Sequence, residues 1–195
     1  MKVLQHKTVW VFAALVSLMA LTRFNHFGSS AVLPDASYAI FFLGGLYLGR
    51  TRAALMLLAM LLVEAALIDY YAINFRGVSG WCVTSAYGFL VFAYSSLWFV
   101  GRWYAPRHDL TGKSLLGLLG AAIAAGSLAF VIANVSFYLL AGYFGRMSVW
   151  KYTSSVAQYF GPYVEVATMY IGCAVIVQMG YAILAGKWQH NTKAV

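Results

Sequence analysis

Charge is scarce in this chain. Five of its 195 residues are Asp or Glu and thirteen are Lys or Arg, 9% charged in all. A soluble domain carries about 25%, so an ordinary soluble globule is excluded. Cysteine is almost absent. Cys82 and Cys173 are too few for a disulfide framework, and no paired-cysteine metal motif occurs. There is no HExxH and no GxSxG, which removes the common zinc-protease and serine-hydrolase patterns. Gly112-Lys113-Ser114 resembles the end of a phosphate-binding loop, but the earlier glycine would fall at Arg107. The chain therefore offers no nucleotide site, and any energy from ATP would come from another subunit.

What is present is apolar sequence, 63% hydrophobic with a mean hydropathy of +0.77. The expectation is an all-α integral membrane protein, a single domain over residues 1–195 with six transmembrane helices. Apolar runs place the spans at Thr8–Leu21, Asp35–Leu48, Ala53–Tyr70, Thr84–Val100, Leu115–Leu140 and Pro162–Leu184. Asp35 suits an N-cap, and Pro162 suits a first helical turn. The first run lacks a small-residue cleavage site and reads as a retained span. Between the last two spans, Val149, Tyr152, Val156, Tyr159 and Phe160 recur at helical spacing. The connection 141–161 is expected to carry a short interfacial helix that serves as a lid.

The net charge of +8 falls in short loops. It reads as a membrane-orientation signal rather than a nucleic-acid footprint. Six spans put both termini on one side with nine cations: Lys2, Lys7, Arg50, Arg52, Arg102, Arg107, Lys113, Lys187 and Lys193. The opposite side has four: Arg23, Arg76, Arg146 and Lys151. The positive-inside rule then places both termini in the cytoplasm and the connections holding His26, Cys82 and Trp150 outside. Gly117, Ala121, Ala125 and Ala129 stripe the fifth span, widened by Gly120 and Ala124, as expected for close helix packing.

The stretch Asp69–Tyr87 concentrates the candidate chemistry. Cys82 reads in two ways: as a small buried hydrophobe, or as an accessible thiol at the start of the fourth helix. In the second reading the helix N-terminus and Arg76 favour the thiolate, a soft ligand for transition metals. Asp69 closes the third span: an intramembrane acid is functional by default, but one at a helix end is cheaper because water is near, and Glu64, five residues earlier, is deeper and more demanding. Tyr70, Trp81 and Tyr87 fit either an interfacial aromatic belt or the wall of a pocket for a large flat ligand. His26 fits a ligand or an interfacial polar group. Cys173, well inside the sixth span, is expected to pack.

The runs Leu21-Thr22-Arg23-Phe24-Asn25-His26-Phe27, Leu33-Pro34-Asp35-Ala36-Ser37 and Phe41-Phe42-Leu43-Gly44-Gly45 resemble the BtuM family. So do Asp69-Tyr70, Gly77-Val78-Ser79, Trp81-Cys82-Val83-Thr84 and Ala86-Tyr87. These proteins are similar to the substrate-binding S components of energy-coupling-factor transporters, and are associated with cobalamin. The resemblance implies a six-helix S-component fold in a bacterial inner membrane, taking up cobalamin or another corrinoid. Cys82 matches the family's cysteine and would ligate cobalt, with removal of an axial cyanide as an attached chemistry. Asp69 and Tyr87 match the polar positions beside it. Arg76, Trp81, Tyr70 and His26 complete the expected ligand-binding set. The need for an energising partner stays open, since Ala13 and Ser17 match poorly the small residues that full S components carry on their first helix. Two other readings also stay open: a thiol-dependent membrane enzyme, and an S component for another vitamin that depends on an ATPase module.

Overall fold

The computed structural model describes residues 2–25 and 33–186, without the side chains of 2–6 and 25. Among the described residues there are six α-helices and no strand: α1 Lys2–Thr22, α2 Ser37–Leu48, α3 Ala54–Phe75, α4 Leu90–Tyr104, α5 Gly112–Leu140 and α6 Val149–Leu184. α3, α5 and α6 are long and apolar enough to cross a membrane. α2 and the Lys7–Thr22 part of α1 are shorter apolar helices, and α4 has 15 residues.

The core is built around α2. Ten of its twelve residues are buried, because its sequence is apolar on every face and only a central position hides all of it. Glycine lets α4 approach. A Cβ at Gly45 would lie 1.9 Å from the Trp98 carbonyl oxygen, and one at Gly101 would lie 2.1 Å from that of Phe42. Trp98 itself is fully buried against Gly44. α5 packs on α4 through the expected stripe, with Ala121, Ala125 and Ala129 buried and Gly117 against the Tyr104 hydroxyl. Its widening runs through Leu118, Ala122 and Gly126. Gly120 and Ala124 face outward.

The end of the chain departs from expectation. α6 begins at Val149, and Pro162 lies inside it rather than in its first turn. Its 36 residues extend about 54 Å. The start signal is Ser148, whose Oγ accepts a hydrogen bond from the Lys151 N–H at 3.3 Å. The proline cannot donate to the carbonyl one turn earlier, and packing carries the helix through it. Tyr152 is buried against Phe144 and Tyr138, with ring centroids 4.8 Å away in each case. It also donates to the Asn134 carbonyl at 3.0 Å. The separate interfacial helix is therefore the first turns of α6, and the connection shrinks to residues 141–148. Cys173 is also placed differently: it is exposed on α6 rather than packed in the core.

Candidate functional site

The site forms where α1 ends, α2 begins, α3 ends and α4 begins. Its centre is Arg23, in a short 3₁₀ turn (Arg23–Asn25) after α1. Arg23 is 2% exposed, and every nitrogen of its guanidinium has an acceptor. Nε donates to Asp69 Oδ1 at 2.8 Å and Nη2 to Asp69 Oδ2 at 2.7 Å, a two-pronged ion pair. Nη1 donates to Ser37 Oγ at 2.7 Å and to the Tyr94 hydroxyl at 3.0 Å. Nε also reaches the Ala65 carbonyl at 3.2 Å. Ser37 is fixed in turn: its N–H and Oγ both donate to Asp35 Oδ1, at 2.9 and 2.6 Å. Asp35, expected as the N-cap, thus steadies the start of α2 from one residue before that position, which Ala36 occupies without a side-chain hydrogen bond. Tyr94 stacks on Phe41 with centroids 4.4 Å apart.

Asp69 carries the network toward the surface. The Tyr87 hydroxyl donates to its Oδ2 at 2.6 Å, so the expected Asp69 and Tyr87 are direct partners. Asp69's cation is Arg23, which the sequence reading counted only as a loop charge. Arg76 instead lies over the Phe24 ring, 5.6 Å from its centroid.

Beyond this pair the chain turns back through Gly80–Cys82, a second 3₁₀ turn. Gly77, at φ +67°, ends α3 and lets the Val78 N–H return to the Ala72 carbonyl at 3.2 Å. Ser79 Oγ then accepts from the Trp81 N–H at 3.3 Å and starts the turn. Trp81 stacks on Tyr143, with centroids 5.3 Å apart and planes 7° from parallel. The Tyr143 hydroxyl donates to the Trp81 carbonyl at 3.3 Å, and Phe137 meets the indole edge-on at 5.0 Å. The connection 141–148 thus lies against the cysteine turn.

Cys82 is exposed. It precedes another 3₁₀ turn, Tyr87–Phe89, so α4 begins at Leu90, eight residues beyond it, rather than at the expected Thr84. Partial enclosure by the protein, and next the charge of Asp69, push the thiol above its ordinary range. Arg76, expected to favour the thiolate, does not enter that balance.

The structure therefore gathers Cys82, Trp81, Asp69 and Tyr87. Tyr70 is exposed on α3 and, among the described residues, makes no side-chain bond to this group. His26 lies outside the described residues. Sequence reading missed Arg23, Ser37, Tyr94 and Tyr143. One signal was present for Arg23, a lone arginine between two apolar spans in a chain with few acids. Among the described residues no group of three or more His, Cys, Asp or Glu side chains is arranged to hold a metal ion. Cys82 would meet any metal as a single donor. No protein-family model matches the chain, and no curated protein matches it either.

Proposed function

We propose that this protein binds cobalamin or a related corrinoid at the cysteine turn and carries it across a bacterial inner membrane. One observation carries the reading: an exposed thiol, Cys82, stands beside a hydrogen-bonded acid and phenol and a stacked pair of aromatics. A corrin is wide, flat and rimmed with amides. Trp81 and Tyr143 offer an apolar plane of matching character, while Asp69 and Tyr87 offer polar atoms for the rim. The Cys82 sulfur takes an axial position on the cobalt of the substrate. Metal ligation itself deprotonates a thiol, so the raised resting state of Cys82 does not prevent it. If the incoming corrinoid carries cyanide, the cobalt–sulfur bond forms as the cobalt–carbon bond breaks. Cyanide leaves with its electron pair, the thiol proton passes to solvent, and cobalt keeps its oxidation state.

In this reading the chain crosses the membrane six times with both termini in the cytoplasm, following the nine-to-four distribution of cations. The cysteine turn then faces outward, and the fold is that of an S component. The test is the visible spectrum of purified protein with cyanocobalamin. The native chain should shift the corrinoid bands and retain one corrinoid per chain. Cys82→Ser should bind without the shift, because a serine hydroxyl does not ionise near neutral pH. An identical shift from the serine variant would end the ligation model. Failure of both proteins to bind would end the corrinoid reading.

A further inference from the structure

The opposite end of the bundle carries a different guanidinium cluster. Arg50 follows α2, Arg102 is in the last turn of α4, and Arg107 closes a 3₁₀ turn, Ala105–Arg107. With Phe99, Trp103 and Pro106 they line one concave site of about 680 Å³. The positive-inside rule accounts for cations at this level of the chain, but not for their convergence on one hollow without an acid. Among the described residues Arg23–Asp69 is the ion pair formed, and none of these three arginines has a carboxylate partner.

Two of the three are held in place. A Cβ at Gly49 would lie 2.8 Å from Arg102 Cβ, so the bare glycine seats the Arg102 stem on the end of α2. The Arg107 guanidinium sits over the Trp103 ring at 4.4 Å, and its Nη1 donates to the Trp103 carbonyl at 2.9 Å. Below the cluster α4 turns an apolar stripe outward: Phe92, Phe99 and Trp103 are 61, 47 and 58% exposed. Their spacing of seven and four residues keeps them on one helix face.

We propose that this hollow is a binding site for an anionic phospholipid, with the headgroup phosphate on Arg50, Arg102 and Arg107 and the acyl chains along Phe92, Phe99 and Trp103. Guanidinium forks match phosphate oxygens, and an interfacial Trp with apolar residues beneath it marks the headgroup level. The site is independent of the cysteine turn and of what binds there.

The test is native mass spectrometry in neutral detergent, with equimolar phosphatidylglycerol and phosphatidylcholine of the same acyl chains. Phosphatidylglycerol should be retained in preference. Each arginine removed should weaken retention about fivefold, so Arg50→Gln with Arg102→Gln should lose about 25-fold. Arg146→Gln, an exposed cation in the connection 141–148, should change nothing. The matching double lysine variant should keep most of the preference, which separates lost charge from lost fold. If the double glutamine variant does not fold, Arg107→Gln alone carries the test with a fivefold loss. Equal retention of the two lipids, or native retention by the glutamine variants, overturns the proposal. So does saturation of the site by glycerol phosphate alone, since a free phosphate would then be the ligand.

Discussion

The two ends of this bundle use arginine in opposite ways. Arg23 is buried and each of its three guanidinium nitrogens meets an acceptor, two of them on Asp69. Arg50, Arg102 and Arg107 are exposed and meet no carboxylate among the described residues. A buried cation must be paired, because an unpaired one costs several kcal/mol. A cation at the rim is hydrated and costs nothing to leave open. Arg23 is therefore committed to the fold, and through Asp69 it fixes the candidate site. The other three are available to an outside anion. Position, rather than residue type, decides between the two roles.

The largest break in this comparison is Arg23→Gln. It strands Asp69 and empties a five-way hydrogen-bonding centre, and should destabilise the protein by about 3–5 kcal/mol. Thermal unfolding in detergent reads the loss. Arg23→Lys keeps the charge without the fork and should lose less. A result near zero for Arg23→Gln would mean that water replaces the guanidinium.

Next in size is the join between the ends. Gly45→Ala places a methyl carbon on the Trp98 backbone, which no rotamer can relieve, and should cost about 1–3 kcal/mol or prevent packing of α2 on α4. Gly120→Ala, with nothing within 4 Å of the new Cβ, should instead gain up to about 1 kcal/mol from helix propensity. The difference in unfolding temperature between these two alanines measures how far the α2–α4 contact governs the fold.

A smaller effect concerns the thiol. Enclosure and the nearby Asp69 charge hold Cys82 above the ordinary thiol range, so the thiolate is the disfavoured form. Alkylation of Cys82 should therefore rise with pH later than that of a free thiol. Asp69→Asn removes the opposing charge and should move the profile to lower pH. A shift to higher pH would mean that Asp69 helps ionise the thiol. Cys173→Ser removes the second exposed thiol and keeps the signal assigned.

The smallest expected effect is at the open end. Arg102→Gln should change stability by no more than about 0.5 kcal/mol, as for surface substitutions generally. Its consequence should be in lipid retention. A large loss of stability there would make Arg102 a second buried-type cation and erase the contrast.

Composition and patterning by themselves determined the helical class. Apolar runs too long for anything else announced α3 and α5 to within a few residues at most boundaries, and small residues at fourfold spacing announced a close-packed face on α5, though not that α4 is the helix it meets. The Asp69–Cys82–Tyr87 neighbourhood was also legible, because glycines, aromatics and an acid stand together between two apolar runs. Tertiary structure decided the rest. Pro162 signals a helix start locally, yet packing of Tyr152 and the Ser148 cap extend α6 through it. Arg23 and Asp69 are 46 residues apart, and nothing local pairs them. Their pairing follows from burial, which makes a guanidinium costly unless it meets a counter-charge. The same physics left Arg50, Arg102 and Arg107 unpaired, since water at the rim removes that demand.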